Sequence, residues 1–467
     1  MFAQSRKDVD MLHGPIVSRI LQVAVPLMIS NIIQALYSAA DMMVVARSGV
    51  AGAVGAIGTT NTVINLVTNL FIGFSVGANV VVARNIGARD DKGVSEAVHT
   101  SVLAGFLFGL IGGIIGYLIS QPAMVMMGDE GAILDMAVRY CKIRFIGLPL
   151  LGLTNFLVAI FRAKGNTTTS LGVLTVSGAI NVVMNMIFVL WFGMDVDGVA
   201  WATVVSQLFS AVALFIYLRR EKDATRVSFH RLKINWAMTG EVLRVGIPAG
   251  IQAGLNNIGN MTIARSVIRM NNLLCPGGSA VLDGHSAAVS ASHFALHCCN
   301  AVDVTLVSFT GQNVGAKNAE RLKRVIRLGY LTVFAVSVVT FGLLVLFRDP
   351  ILSLYISDPE AMAIAHLRMF IVSALYPFGG TLLGAGASFL RGMGRSTTSM
   401  SISLITNCAL RILWVATIFE RYQTMEALYI SYPVLFLFGA AAQYIAVRIA
   451  YRKLTEKWKT QELSHAT

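Results

Sequence analysis

Asn85-Ile86-Gly87-Ala88-Arg89 returns as Asn313-Val314-Gly315-Ala316-Lys317, displaced by 228 residues. The same displacement recurs around it. Phe161-Arg162-Ala163-Lys164-Gly165-Asn166-Thr167-Thr168 reappears as Leu390-Arg391-Gly392-Met393-Gly394-Arg395-Ser396-Thr397 at an offset of 229, and Val25-Pro26 matches Ile247-Pro248 at 222. Offsets that drift this little mark one ancestral unit, duplicated and since altered by small loop insertions. Two similar bundles built of membrane-length apolar segments describe a transporter better than an enzyme or a receptor.

Of 467 residues, 55% are hydrophobic and 13% charged, against about 25% charged in soluble proteins. Twelve spans need about 240 residues at roughly 20 per span, which the chain supplies. They are predicted near 17–46, 57–84, 97–119, 138–161, 170–192, 198–218, 242–265, 286–311, 325–347, 366–390, 398–419 and 427–450. The net charge of +13 is a topology signal and not a nucleic-acid footprint, because the basic residues sit in alternate loops. Arg84, Arg89 and Lys92 follow the second span, Arg162 and Lys164 the fourth, Lys317, Arg321 and Lys323 the eighth, and Arg391 and Arg395 the tenth; the intervening loops hold Asp129, Glu130, Asp195, Asp197, Asp358 and Glu360. The positive-inside rule puts both termini in the cytoplasm of a multi-pass plasma-membrane protein. No removable signal peptide is read at the N-terminus. Five cysteines, mostly in apolar stretches and without a CxxC spacing, read as buried small hydrophobes and not as disulfides or zinc ligands.

Six spans per half is an even number, so both halves start on the same side and run parallel. The expected fold is an all-α polytopic membrane protein with twelve transmembrane helices in two six-helix lobes, related by a pseudo-twofold along the membrane normal. The N-lobe is 1–218, a basic cytoplasmic linker 219–241, and the C-lobe with its basic tail 242–467. A substrate path would run between the lobes near the midplane. Gly105, Gly109 and Gly113, at i, i+4 and i+8 of the third span, let a neighbouring helix approach closely. The fold needs no partner subunit, so a monomer in membrane lipid is expected.

Pro26 in a polar first span, Asp41 before Met42-Met43-Val44-Val45-Ala46-Arg47, Asn85-Ile86-Gly87-Ala88, Phe161-Arg162-Ala163-Lys164-Gly165-Asn166, Gly198-Val199-Ala200-Trp201-Ala202-Thr203 and Gly311-Gln312-Asn313-Val314-Gly315-Ala316 together resemble the prokaryotic multidrug and toxic compound extrusion (MATE) family over nearly the whole chain. The resemblance implies an antiporter that exports small organic, often cationic or amphipathic, compounds in exchange for Na+ or H+, with no other cofactor. It also implies an N-lobe cation site made of an aspartate on the first helix with polar groups on helices two, five and six. Asp41 and Asn181 match that pattern; where many relatives carry a second acid four residues on, this chain has Asn185. Some relatives have acids on helices seven and ten, where these spans offer Asn256, Asn257 and Asn260 and no carboxylate.

Depth arithmetic supports Asp41 separately. At 1.5 Å per residue it lies about 9 Å below the outer end of its span, with Asn61 and Asn65 at roughly 6 to 12 Å, Asn185 at about 10 Å and Thr203 at about 8 Å on theirs. A carboxylate, amides and a hydroxyl at one level suit sodium, and an apolar rim suits proton exchange. Amides and hydroxyls also glue membrane helices, so Asn181, Asn185 and Thr203 carry both readings. Pro26 is either a hinge that moves Asp41 or a static kink. His293 and His297, one turn apart on the eighth span, are cleft-lining, proton-sensitive groups or interhelical hydrogen-bond partners, and with no third ligand they are not a metal site. Asp303 and Arg411 lie too deep to reach the interface and are expected to form an ion pair, the alternative being that Asp303 is a second coupling-ion site. A flippase for lipid-linked precursors is the second functional reading; it calls for arginines in the cleft, yet Arg265 and Arg269 lie near a helix end and little else points inward. A membrane-embedded enzyme using His293, His297 and Asp303 is the third and remotest.

Overall fold

The computed structural model describes residues 8–47, 53–127 and 131–466, of which 38–43, 45–47, 53–55, 59, 132, 190, 256–258, 465 and 466 are described as backbone alone. Helices account for nearly all of it, and the described residues contain no strand. The first half holds α1 (Ile16–Arg47), α2 (Ala53–Ala88), α3 (Asp91–Met126), α4 (Gly131–Ile146), α5 (Leu148–Lys164), α6 (Thr167–Met186) and α7 (Val196–Arg220). The second holds α8 (Trp236–Leu274), α9 (Ala280–Gly315), α10 (Ala319–Leu346), α11 (Arg348–Leu352), α12 (Pro359–Arg368), α13 (Gly380–Gly392), α14 (Ser396–Leu404), α15 (Leu410–Trp414), α16 (Glu420–Tyr422) and α17 (Met425–Ala466). Among the described residues ten helical stretches are long and apolar enough to cross a membrane, and α4 with α5 forms an eleventh, bent by 47°. α8 has 39 residues, ample for a crossing, and is the more polar for Asn256, Asn257 and Asn260 along it.

Two compact units result. One comprises Val25–Gly250 together with the residues up to Asp10; the other comprises Ile251 onward together with Met11–Ala24. The change of unit falls beside the repeated proline in each half, Pro26 inside α1 and Pro248 inside α8.

The duplication survives at the level of single hydrogen bonds. At the end of α2 the Asp90 amide bonds the Asn85 carbonyl (3.1 Å) and the Arg89 amide that of Ile86 (3.0 Å); after α9 the Asn318 amide bonds Asn313 (3.3 Å) and the Lys317 amide Val314 (3.1 Å). Arg89 (φ 57°) and Lys317 (φ 50°) both adopt the left-handed conformation, which costs a non-glycine residue about 1–2 kcal/mol and serves here to close the helix. Asn85 Nδ2 donates to the Val81 carbonyl (2.9 Å) and Asn313 Nδ2 to that of Phe309 (2.8 Å). The next helix starts at once, capped by Asp90 in one half and Asn318 in the other. The second repeated motif behaves alike, with Gly165 (φ 83°) ending α5 and Gly394 (φ 76°) following α13. The fourth crossing of each half also breaks beside a repeated proline, Pro149 in the first turn of α5, just after the break from α4, and Pro377 between α12 and α13.

The glycine row of α3 is where α5 and the break before it come closest. A Cβ on Gly109 would stand 2.6 Å from the Leu148 carbonyl oxygen, one on Gly113 2.7 Å from that of Phe145, and one on Gly105 2.7 Å from the Phe156 ring. Gly172 of α6 has open space around it. Opposite outcomes are therefore expected. Gly109→Ala forces backbone apart and should lose about 1–3 kcal/mol, whereas Gly172→Ala should gain about 0.5–1 kcal/mol from helix propensity. Thermal unfolding of the two purified variants beside the parent checks both signs.

At one end of the first unit Lys164, almost fully enclosed, bridges Asp223 (2.8 Å), Glu221 (3.1 Å) and Asp8 (3.3 Å). The linker after α7 is docked as well, through the Ser228 amide to His99 Nε2 (3.0 Å) and Asn235 Nδ2 to Glu96 Oε2 (2.9 Å). The apolar residues left exposed lie along helix faces, such as Ile111, Ile114, Ile115 and Leu118 of α3 and Leu331, Val338, Val339 and Leu346 of α10. Such faces belong against lipid.

Candidate functional site

Two amides stand one turn apart on α6. Asn181 and Asn185 are both buried, and Asn185 Nδ2 donates to Asn181 Oδ1 at 3.4 Å. A serine ties α6 to α7, Ser177 Oγ donating to the Ser206 carbonyl (2.7 Å), while Ser206 Oγ turns back within α7 to the Thr203 carbonyl (2.8 Å). The Thr203 hydroxyl itself returns to its own helix, at the Val199 carbonyl (3.0 Å). On another side α1 is fixed to α6 by Tyr37, whose hydroxyl donates to the Thr175 carbonyl (3.1 Å) and whose ring covers Gly178. Asp41 stands one turn beyond Tyr37 on α1, and its side chain lies outside the described residues. On α2, Asn61 is half-buried and Asn65 exposed; among the described residues neither is hydrogen-bonded to α6 or α7. Contacts thus tie α6 to α7 through Ser177 and to α1 through Tyr37, and among the described residues no hydrogen bond brings the two α2 asparagines to them.

The second unit encloses a cavity of about 690 Å3. Two of the expected cleft residues, Asn260 of α8 and His293 of α9, line it, and so do Asp303 of α9 and Arg411 of α15; His297 is not among its lining residues, its ring centre 6.3 Å from that of His293. Asn256 and Asn257 are described as backbone alone.

The expected ion pair between Asp303 and Arg411 is not formed. Arg411 Nη1 donates to Asn260 Oδ1 (3.1 Å) and its guanidinium lies over the Tyr432 ring, 4.5 Å from the centre. Asp303 packs instead against the backbone of Gly384 on α13, and the cation whose field reaches it is Arg391. Residue counting along a helix axis leaves open the direction in which each side chain departs, and these two meet different partners. Arg391 is itself a correction. It was read as a loop charge after the tenth span, and its side chain turns back into the cavity wall, Nη2 donating to Gln252 Oε1 (2.8 Å). Gln252 continues the network, Nε2 donating to Ser403 Oγ (2.6 Å).

The cavity wall holds a third arginine, Arg368 of α12, which the sequence reading passed over because it falls at the start of a predicted span. The expectation that few arginines point inward is therefore overturned for this unit. Arg265 and Arg269 stay outside the cavity, Arg269 pairing with Glu420 at the helix ends.

A multi-pass helical membrane protein, duplicated internally and holding a charged and aromatic cavity between its crossings, is built as a transporter. Comparison with known proteins makes this specific. The family model described as MatE matches residues 26–187 and 252–417, one match per copy of the repeat. The chain belongs to that family and is a transporter, not an enzyme. It is 24% identical to "Probable multidrug resistance protein YoeA" of Bacillus subtilis (strain 168), over 94% of each chain. It is 26% identical to "Probable multidrug resistance protein NorM" of Thermotoga maritima, over 86% of this chain and 85% of that one. A solved outward-facing structure of a multidrug resistance MATE family transporter superposes with a TM-score of 0.86 at 20% identity, covering 97% of this chain and 99% of the other. That likeness carries the fold, twelve helices in two lobes.

Proposed function

We propose that this transporter exports small organic compounds, amphipathic ones among them, by alternating access in exchange for Na+ or H+, as a monomer in the cytoplasmic membrane with both termini inside. The coupling-ion site of this reading comprises Asp41, Asn181, Asn185 and Thr203, with Asn61 and Asn65 of α2 at its edge and Pro26 as the hinge. The supporting observation is helix register. Three crossings separate α1 from α6, so the two run parallel, and the Tyr37 contact aligns them at Thr175 and Gly178. One turn further along each, Asp41 on α1 reaches the level of Asn181, and Asn185 stands a turn beyond it. A carboxylate and buried amides at one level supply the oxygen ligands that a cation site needs. The curated relatives named for multidrug resistance support the cargo class.

Asn185 offers a graded test. With one carboxylate in the site, adding a second through Asn185→Asp should tighten cation binding about tenfold or more, or raise the pH at which transport switches, because like charges share a proton. Binding curves for Na+ and a pH profile identical to the parent's would place Asn185 outside the site.

A further inference from the structure

On the transporter reading above, we propose that the cavity of the second unit recognises an oxyanion, a phosphate or carboxylate group carried by the transported compound, and that Arg368 and Arg411 receive it with Arg391 beside them.

The cavity's charged wall is three arginines against one carboxylate, Asp303. No carboxylate among the described residues forms an ion pair with any of the three. Arg391 has Asp303 within its field, which leaves Arg368 and Arg411 uncompensated. Both are enclosed, 6% and 2% exposed. Arg368 makes no hydrogen bond among the described residues, and its Nε and Nη1 are buried without a partner; Nε of Arg411 and of Arg391 are likewise unmet. A guanidinium deep in a membrane protein is costly and is normally met by an acid or by a substrate. Here the acid is missing and the cavity is adjacent.

Geometry favours one shared ligand. Arg368 lies 5.8 Å and Arg411 4.5 Å from the centre of the Tyr432 ring. The two guanidinium carbons are therefore no more than about 10.3 Å apart, a span that one ligand of diphosphate size bridges and that lets both arginines face the same small oxyanion-bearing molecule. Guanidinium forks match oxyanions through paired N–H donors. The Tyr432 ring and the phenyl ring of Phe436, which Arg411 also approaches (5.8 Å), give an aromatic or acyl body a surface to lie on. A volume near 690 Å3 falls in the range of small-molecule sites. A cationic solute in the same place would meet an excess of like charge.

The experiment is equilibrium binding to the full-length protein in nanodiscs of phosphatidylcholine, followed by calorimetry and by the shift in melting temperature. Phenyl phosphate and benzoate are the anionic probes, benzyl alcohol the neutral one and benzyltrimethylammonium the cationic one. Phenyl phosphate is expected to bind, with the neutral and cationic probes at least tenfold weaker. Arg368→Gln should weaken phenyl phosphate tenfold or more, Arg368→Lys should recover part of that, and Arg265→Gln, outside the cavity, should leave it unchanged. Should Arg411→Gln fail to fold, Arg368→Gln still decides the matter, since Arg368 holds no hydrogen bond that the fold uses. Repeating the titration in nanodiscs containing phosphatidylglycerol separates the two sources of the anion. A weakened apparent affinity assigns the cavity to a lipid headgroup, and an unchanged affinity to a free solute. Tighter binding of benzyltrimethylammonium than of phenyl phosphate, or parental phenyl phosphate binding in a folded Arg368→Gln variant, would overturn the assignment. Binding is read without transport, so intact cation-driven efflux with no anion binding sinks this inference alone, while anion binding without driven efflux sinks the export reading alone.

Discussion

Asp41→Asn is expected to reduce ion-driven efflux to the level of protein-free liposomes while the protein still inserts and melts cooperatively. The substitution keeps the shape of the side chain and removes only the charge. A carboxylate inside a bilayer costs at least about 2.5–3.5 kcal/mol on insertion scales, a cost that packing alone does not justify. On the proposed register Asp41 stands at the level of Asn181, which is paired with Asn185 a turn beyond, and amides cannot exchange a proton or neutralise Na+ by themselves. The asparagine variant therefore keeps a polar site and loses its coupling. The check is efflux measured at equal reconstituted amounts of parent and variant. Undiminished gradient-driven efflux in the variant would remove Asp41 from the ion site.

Lys164→Met is expected to cost about 3–5 kcal/mol of stability, the usual loss when one partner of a buried ion pair is removed. Three carboxylates, of Asp8, Glu221 and Asp223, converge on this one ammonium within 3.3 Å. Without it they crowd each other in an enclosed place. The pH dependence has a definite sign. Burial raises Asp223, but Lys164 together with the Thr225 hydroxyl and amide outweighs it and holds the carboxyl below its ordinary value. Its stabilisation is thus present above the ordinary carboxylate pKa and fades as pH falls through the lowered one. Asp8 runs the other way, since burial and its acidic neighbours outweigh Lys164 and raise it. In the methionine variant all three acids lose their counter-charge, so acidification toward the carboxylate range should narrow the deficit. Melting temperatures of parent and variant across a pH series provide the measurement; a deficit that is small at neutral pH, or that widens on acidification, would show that the cluster does not hold this end of the unit.

Much of this was legible in the sequence because it is written in periodic or local signals. The duplicated Asn-x-Gly-Ala motif marks a helix end twice over, down to the left-handed Arg89 and Lys317. The glycine row of α3 announced a close approach that a single Cβ would spoil. Pro149 and Pro377 sit one repeat apart, and the breaks they impose could have been foreseen from that alone. What was missed depends on azimuth. Residue counting puts Asp303 and Arg411 at similar depths, but one side chain meets α13 and the other meets Asn260 and Tyr432, a matter of packing that one-dimensional arithmetic leaves open. Arg391 looked like a loop charge because it follows an apolar run, and only tertiary structure turns it inward to Gln252. Arg368 did have a sequence signal, as a lone cation within a predicted span.

The most direct measurement is efflux of a fluorescent organic dye from proteoliposomes of the purified chain, loaded inside, with Na+ and H+ gradients imposed separately from outside. Efflux should accelerate when one of these cations is supplied at higher concentration outside and collapse when that gradient is dissipated by the matching ionophore. Efflux that runs at the same rate with both gradients absent, or that neither cation drives, would contradict cation-coupled export.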